Sequence, residues 1–529
     1  MWSEEMGRRP LFEVPDGAPA GSWADDGGRT GPSGAIQPDQ PPDHCEDARR
    51  LDYAVNDLKR RFPRFSAASL GGAGSLVWAS AIAALLAGIA EVAPGWALIV
   101  LLSLPFFFVV QIRLAALGIW LTRNPLTVAP SPLAGSDAPA YSVLVPLYRE
   151  PDAVPGLVEA LARLDYPKAK LQILFITEVD DDGTRQALRS AIGRLNDPPE
   201  MSILTVPDGL PRTKPRALNF ALQAARGDIV AIFDAEDEPD VLQLRAAAAA
   251  FASGGPRLAC VQAPLQIYNP EETAFTRQFA LEYAALFDAV LPALWRMGLP
   301  LPLGGTSNHF RRDVLIQCGA WDPFNVTEDA DLGFRLARFG YDVALISPAT
   351  WEEAPPRATG WFHQRTRWLK GWMQTYLVHM RSPTRLWADF GPWRFLGFQA
   401  ILAGMILSAL VHPWFYVFLA ADAWSGASLP EGPGHERGAE RMVWWLSLGN
   451  LALSYVVSIL LSALALRRRG ARPRLLTLIA LPFYWLAISA AAYRAVYELI
   501  VSPFHWAKTE HRGISCAARR AAVGASVRE

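Results

Sequence analysis

Long apolar runs bracket a polar block in this chain, and that layout limits its folds more than any other feature. Ser75 to Val92 and Trp96 to Leu121 precede the block, while Leu396 to Ala421 and Val443 to Leu466 follow it. Each is close to the ~20 residues a helix needs to cross hydrocarbon. Backbone in lipid must satisfy its own hydrogen bonds, so such runs are expected as helices. A turn at Ala93–Pro94–Gly95 separates the first two, which makes residues 71–123 a transmembrane hairpin. Residues 393–466 supply a second pair of spans. Hydrophobic residues make up 51% of the 529 positions and tryptophans number 19, as expected where aromatics mark a membrane interface. Arg113, late in the second run, and Arg123 beyond it can snorkel to the headgroups. Basic residues before the hairpin keep its two ends, and the block after it, in the cytoplasm.

A fifth apolar stretch, residues 474–501, is ambiguous. Arg467 to Arg474 and Lys508 to Arg520 flank it on both sides, while Pro482, Arg494 and Glu498 interrupt it. It reads either as an interfacial or re-entrant helix, giving four spans, or as a fifth crossing. The outer segments are simpler. Residues 1–45, rich in Pro, Gly and Asp, cannot bury enough surface to offset chain entropy and are expected as a disordered cytoplasmic tail. Their start has no apolar core after a basic segment, so no signal peptide is expected. Residues 46–70 are basic and partly amphipathic and are expected against anionic headgroups. With 50 Lys and Arg against 51 Asp and Glu, the net charge of −1 gives no reason to expect a nucleic-acid partner. Four dispersed cysteines without CxxC spacing suggest neither a zinc site nor a disulfide framework.

The block at 140–358 alternates short buried-strand runs (YSVLVPL, LQILFIT, MSILTV, DIVAIFD) with helical stretches, which predicts an α/β domain on a mostly parallel sheet. Residues 359–392 are too charged to span and are expected as interfacial helices.

Three elements in this region carry chemistry. GDIVAIFDAEDEP puts Asp234, Glu236 and Asp237 directly after a strand, where open sheets bind ligands. Crowded carboxylates there suit a hard cation, Mg²⁺ or Mn²⁺, which would neutralise a diphosphate leaving group. Taken alone, the segment also fits a solvated acidic turn. VTEDADLGFRL sets Glu328 and Asp329 at a helix start, where capping alone would explain them. HQRTRWLKGWMQT places Gln364, Arg365, Arg367 and Trp368 on one helical turn, offering guanidinium forks for phosphate and an indole face for a sugar. A basic helix on anionic lipid has the same composition.

In this order, FDAEDEP, TED (Thr327 to Asp329) and QRTRW (Gln364 to Trp368) resemble the membrane-integrated family-2 glycosyltransferases typified by bacterial cellulose synthase, over about Tyr141 to Met380. The resemblance implies a GT-A, Rossmann-like nucleotide-sugar domain inserted between transmembrane helices of the cell inner membrane. It implies that Glu178 contacts the base, with Asp180 as substitute, and that Lys214 and Asn219 in TKPRALN reach the nucleotide-sugar. Asp234 takes the first metal position, and the DxE text leaves Glu236 and Asp237 both open for the second. Asp329, beside Glu328, would be the general base. Arg365 and Arg367 would hold the diphosphate, while Gln364 and Trp368 would face the acceptor. GGTSNHF, with Gly305 and Thr306, would form the acceptor wall. SPFHWAKTEH in the C-terminal segment 502–529 loosely resembles a mobile nucleotide-covering loop, with His505, Trp506, Lys508 and Thr509 as candidates.

The implied reaction is an inverting transfer from a cytoplasmic nucleotide-sugar donor to a growing β-linked glycan acceptor, processive, with the bilayer and envelope export components as partners. Two rivals are a non-processive transferase acting on a lipid-linked acceptor and a non-catalytic envelope receptor or export component. The intact acidic trio argues against the last, since a receptor needs no base. Sugar, nucleotide and linkage are not written in the sequence.

Overall fold

The computed structural model describes residues 44–70, 95–122, 138–425 and 436–505. The predicted span Ser75 to Val92 and the loop residues Trp506, Lys508 and Thr509 lie outside them. The strands are β1 (Tyr141–Leu147), β2 (Leu171–Glu178), β3 (Glu200–Val206), β4 (Ile229–Ile232), β5 (Glu238–Pro239), β6 (Leu258–Gln262), β7 (Leu265–Ile267), β8 (Asn308–Arg311), β9 (Asp342–Leu345) and β10 (Thr350–Glu352). A seven-stranded sheet runs β3-β2-β1-β4-β8-β6-β9, and β5-β10-β7 form a smaller one. The four strands predicted from apolar runs are β1 to β4, and they pair in parallel.

These runs are continuous because both faces of the sheet are covered. Val143, Val145, Ile173 and Phe175 pack with Leu157, Leu161 and Leu188 on one face. Their neighbours Leu144, Leu174 and Ile176 pack with Leu218 and Leu222 on the other. The sheet is mostly parallel, as expected, with β8 as the antiparallel exception between β4 and β6. No apolar run announces β8. Its sequence is NHFR; it is held by pairing with β4 and β6, and its buried His309 Nδ1 meets the Tyr141 hydroxyl at 2.5 Å.

Two segments expected at a membrane surface pack against the α/β domain. The basic helix His44–Arg61 docks on the α/β domain: Ala54 and Leu58 are buried in its core, and Arg61 donates to the carbonyls of Ile316 (2.9 Å) and Gln317 (3.0 Å). Exposed carbonyls at a helix C-terminus attract a guanidinium as an anionic headgroup would. The QRTRW helix, Ala358–His379, is enclosed rather than laid on lipid. It runs between the α/β domain and the helix Leu481–Val501, burying Gln364, Arg365, Lys370, Gln374 and His379.

Among the described residues three helices are long and apolar enough to cross a membrane, at Ser103–Thr122, Pro383–Ala420 and Arg441–Arg468. They match the predicted runs from Trp96, Leu396 and Val443. The second bends at Gly391, whose φ of 68° is open to glycine at little cost and is followed by Pro392. The ambiguous stretch from Leu475 forms a short helix and then Leu481–Val501, which packs on the QRTRW helix and is not among the three. Arg469 to Asp288, at 2.6 Å, ties the third apolar helix to the α/β domain.

Asn219 was expected at the nucleotide-sugar, and the structure places it elsewhere. Its amide donates to the carbonyls of Ala54 (3.0 Å) and Trp321 (2.8 Å) and accepts from the Trp321 N–H (3.1 Å). The Ala54 bond anchors the N-terminal helix, and the two to Trp321 hold the amide in place within the α/β domain. Asn219→Ala should therefore destabilise that docking by about 1–3 kcal/mol. Hydrogen exchange should show faster exchange across residues 44–61, with donor binding unchanged.

Candidate active site

A cavity of about 630 Å³ opens at the strand ends and continues between the apolar helices. Its polar half is lined by Glu178, Lys214, Asp234, Glu236, Gly305, Thr306, Glu328, Asp329, Gln364, Arg365, Arg367 and Trp368. All three sequence motifs thus converge on one space.

Strand β4 ends at Ile232, and the tight turn after it presents Asp234 and Glu236 to the cavity. Asp237 turns back instead: its Oδ2 accepts from the Asp234 N–H at 2.6 Å and from the Thr306 hydroxyl. Thr306, expected to face the acceptor, therefore has its hydroxyl engaged in holding this turn. Asp234 has no basic neighbour along the chain, but folding supplies one. Lys214, at the start of the helix Lys214–Leu222, ion-pairs with Asp234 and donates to the Gly305 carbonyl at 2.7 Å. Gly305 also lets its loop approach Asp329, since a Cβ there would lie 3.2 Å from Asp329 Oδ2 and 4.0 Å from Lys214 Nζ.

Glu328 and Asp329 open the helix Glu328–Arg338, and Asp329 Oδ1 accepts from the Ala330 N–H at 2.7 Å. Burial raises both carboxyls above the ordinary carboxylate range; the charge of Asp329 adds to the rise of Glu328 and that of Asp234 to the rise of Asp329, while Lys214 opposes both. Burial, and next the charge of Asp234, also push Glu236 and Asp237 well up. Lys214 is raised on balance: burial works against its charge, but Asp234, Glu328 and Asp329 outweigh it. Burial lowers Arg367, while Glu328, Asp234, Asp329 and Glu236 pull it back, so its guanidinium faces the whole acidic group.

Arg365 is corrected. It forms a two-pronged pair with Glu282 (2.7 and 2.6 Å) and sits over the rings of Phe279 and Trp368, each 4.7 Å away. The Tyr484 hydroxyl donates to the same Glu282 at 2.9 Å. A fork already filled by a carboxylate is not open to a diphosphate, whereas Arg367 lines the cavity. One face of Trp368 is covered as well, by Tyr283 stacked at 6.4 Å. Gln364 lines the cavity with its buried Oε1 unpartnered.

On the base side, buried Glu178 is ion-paired with buried Arg216 while lining the cavity. Asp180 sits outside the lining, bridged to Arg212 (3.0 Å) and Arg149 (3.3 Å). His505 reaches the QRTRW helix through its carbonyl, which accepts from Lys370 at 2.7 Å.

The sequence reading missed Glu150, Glu352 and Glu353, which also line the cavity. Glu352 is pushed up to about 7 by burial, with Asp234 adding to the rise. Applying the strand-end rule to β1 and β10, and not only to β4, would have flagged all three.

The family model for glycosyltransferase-like family 2 matches residues 139–371. Residues 139–371 form a family-2 glycosyltransferase domain. The β-monoglucosyldiacylglycerol synthase of Trichormus variabilis is 29% identical over 242 residues, 45% of this chain and 50% of that protein. The probable glycosyltransferase YdaM of Bacillus subtilis is 25% identical over 236 residues, 44% and 56% of the two chains. The cellulose synthase catalytic subunit of Pseudomonas fluorescens is 26% identical over 264 residues, 48% and 34%. The chain spans about half the length of the first curated relatives it matches. Among solved structures, a mannosyltransferase of Pyrobaculum calidifontis in complex with GDP-Man and Mn²⁺ aligns with a TM-score of 0.52 at 21% identity, over 76% of this chain and 98% of that one. That likeness establishes the GT-A fold.

The two arginines of QRTRW should separate on mutation. Arg365→Ala should lower stability by about 2 kcal/mol, less than the ~3–5 of a fully buried pair because Glu282 keeps some solvent contact. Arg367→Ala should cost less stability than Arg365→Ala, since the Arg367 guanidinium faces the carboxylates of the cavity and is not caged in a two-pronged pair. It should instead weaken binding of the nucleoside diphosphate, read by calorimetry.

Proposed function

We propose that this chain is an inverting glycosyltransferase that moves a sugar from a cytoplasmic nucleotide-sugar onto an acceptor reaching the site from between the membrane helices. The observation that carries this reading is the single cavity. It joins Asp234, Asp329 and Arg367 to residues of three apolar helices, such as Phe106, Met405 and Leu461. A donor approaching the strand ends and an acceptor descending from the helices would meet beside Asp329.

In this mechanism Asp329 takes the proton from the acceptor hydroxyl. That oxygen attacks the anomeric carbon, and the bond to the diphosphate breaks in the same displacement, inverting the centre. Arg367 and Lys214 offset charge on the departing diphosphate. Lys214 has a second role, holding Asp234 while the donor is away. A divalent cation fits the donor set. Among the described residues no three His, Cys, Asp or Glu side chains are already gathered to hold a metal, yet hard oxygens are in excess there, and buried Asp237 Oδ1 has no partner. Asp234 and Glu236 would hold Mg²⁺ or Mn²⁺, which supplies charge neutralisation of the diphosphate when bound.

Processive growth of a β-linked glycan is the favoured form, because Trp368 and the whole Q-x-x-R-W element border a cavity long enough to leave the catalytic layer. Transfer of a single sugar to a lipid is the second form, favoured by the apolar walls of the membrane half. Membranes supplied with labelled nucleotide-sugars and then sized for product separate the two: a ladder or polymer supports the first, one glycolipid band the second. Labelling by no nucleotide-sugar would overturn both.

Asp329→Asn should cut turnover at least ~10²-fold with donor binding nearly intact. A general base works ionised, and burial raises this one, so activity holds at neutral pH. It should fall as pH drops through a value above the ~4 of a free aspartate, displacing the acid limb of the kcat profile upward. An acid limb at ordinary carboxylate pH would remove Asp329 from the role. Chelation should stop transfer, with Mg²⁺ or Mn²⁺ restoring it, and Asp234→Ala should weaken donor binding as Asp329→Asn does not.

A further inference from the structure

Arg113 stands in the first described apolar helix and lines the membrane half of the cavity. Its guanidinium donates to the hydroxyls of Ser458 (2.7 Å) and Ser454 (3.4 Å) and lies 4.9 Å from the ring centroid of Trp485. Among the described residues no carboxylate comes within ion-pair distance of it. Glu282, on the same cavity wall, is committed to Arg365 and Tyr484. Serines 454, 458 and 462 recur every fourth residue, on one face of the helix Glu436–Arg468, and all three line the cavity. Across from them Ser408 and His412 also line it, and buried Ser408 Oγ and His412 Nδ1 have no hydrogen-bond partner. Phe106, Val109, Ile112 and Met405 make the surroundings apolar.

Glu282 attracts Arg113 from a distance, but a cation among apolar groups with no carboxylate in contact is costly, and in a membrane segment it marks a ligand path more often than a structural need. Neutral hydroxyls can bond it but cannot offset its charge. Depth is consistent with a headgroup. Ala116, about one turn or ~5 Å along the same helix, packs against Ala289 and Ala293 of the glycosyltransferase domain, so Arg113 sits just on the membrane side of that junction.

We propose that Arg113, with Ser454, Ser458, Ser408 and His412, is a phosphate-binding site for the acceptor. On this assignment the acceptor is a lipid that carries its sugar through a phosphate. The phosphate rests on Arg113, the chain lies among Phe106, Val109 and Met405, and the sugar end points to Asp329. The inference rests on the transferase reading above and names its acceptor class. In the processive form, this lipid phosphate holds the growing chain.

The test uses the full-length protein in neutral phosphatidylcholine nanodiscs with a matched pair of probes: one sugar joined to one alkyl chain either directly or through a phosphate. Wild type should bind the phosphate-bearing probe at least about tenfold more tightly, the scale of a charge-assisted hydrogen bond. Arg113→Gln should erase that preference, and Arg113→Lys should keep part of it. Binding of nucleotide-sugar, measured in the same samples, should be unchanged in both variants, which also reports that they are folded. Equal binding of the two probes by wild type, or a preference that survives in Arg113→Gln, would overturn the site. Full competition by phosphatidylglycerol would assign it to a bilayer phospholipid and overturn the acceptor role. Should wild type bind no nucleotide-sugar at all, the transferase reading is what fails.

Discussion

The ion pair between Lys214 and Asp234 is the contact on which the site's arrangement depends. Asp234, Glu236, Asp237, Glu328, Asp329 and Glu352 crowd a region with little water, and repulsion among them would otherwise drive them apart or protonate them. One ammonium reaches Asp234 and the Gly305 carbonyl and acts electrostatically on Glu328 and Asp329. It thereby joins the strand-end turn, the loop at Gly305 and the helix that opens with Glu328 and Asp329. The same crowding leaves the site short of positive charge, which is the condition a divalent cation and a second cation, Arg367, would relieve.

Around that pair, the domain and the apolar helices are assembled as one object. The QRTRW helix is the hinge of this assembly, because both of its sides are occupied. Arg367 faces the carboxylates, while Arg365 is caged with Glu282, Phe279 and Trp368. Farther along, Lys370 reaches Glu498 at 3.2 Å and the His505 carbonyl, and Gln374 Nε2 donates to the Pro503 carbonyl at 3.0 Å. The chain that follows Val501 is thus tethered to the helix that borders the site. Two arginines two residues apart therefore differ in chemistry because a helix turns them to different neighbours, not because of any difference in type.

The reading of Asn219 shows where motif transfer stops. TKPRALN was read as a donor-reaching unit, and its Lys214 does line the cavity, while Asn219 lies five residues later and about one and a half turns along the helix. That rotation takes it from the cavity to the seam with the N-terminal helix, where three backbone partners absorb its amide. Asp180 departs from the cavity for a similar reason, since Arg212 and Arg149 hold it outside the lining.

The sequence by itself determined the layout: apolar runs bracketing an α/β block, strands β1 to β4, and three acidic or basic motifs of which Asp234, Glu328, Asp329, Arg367 and Trp368 do meet. These were legible because buried parallel strands and membrane helices each impose a local pattern on the text, and because strand ends and helix starts place carboxylates predictably. Only the tertiary structure decided what has no local pattern. Strand β8 is four polar-rich residues whose place depends on pairing with β4 and β6, far away in sequence. Glu352 enters the site from the far end of the domain, where Lys214 acts on it although more than a hundred residues separate the two. Arg113, readable as a residue that snorkels outward, instead faces a lumen shared with Ser454 and Ser458, because the helix that would hold it there lies more than three hundred residues later. Charge partners at such separation are set by packing, and packing is what a one-dimensional reading cannot contain.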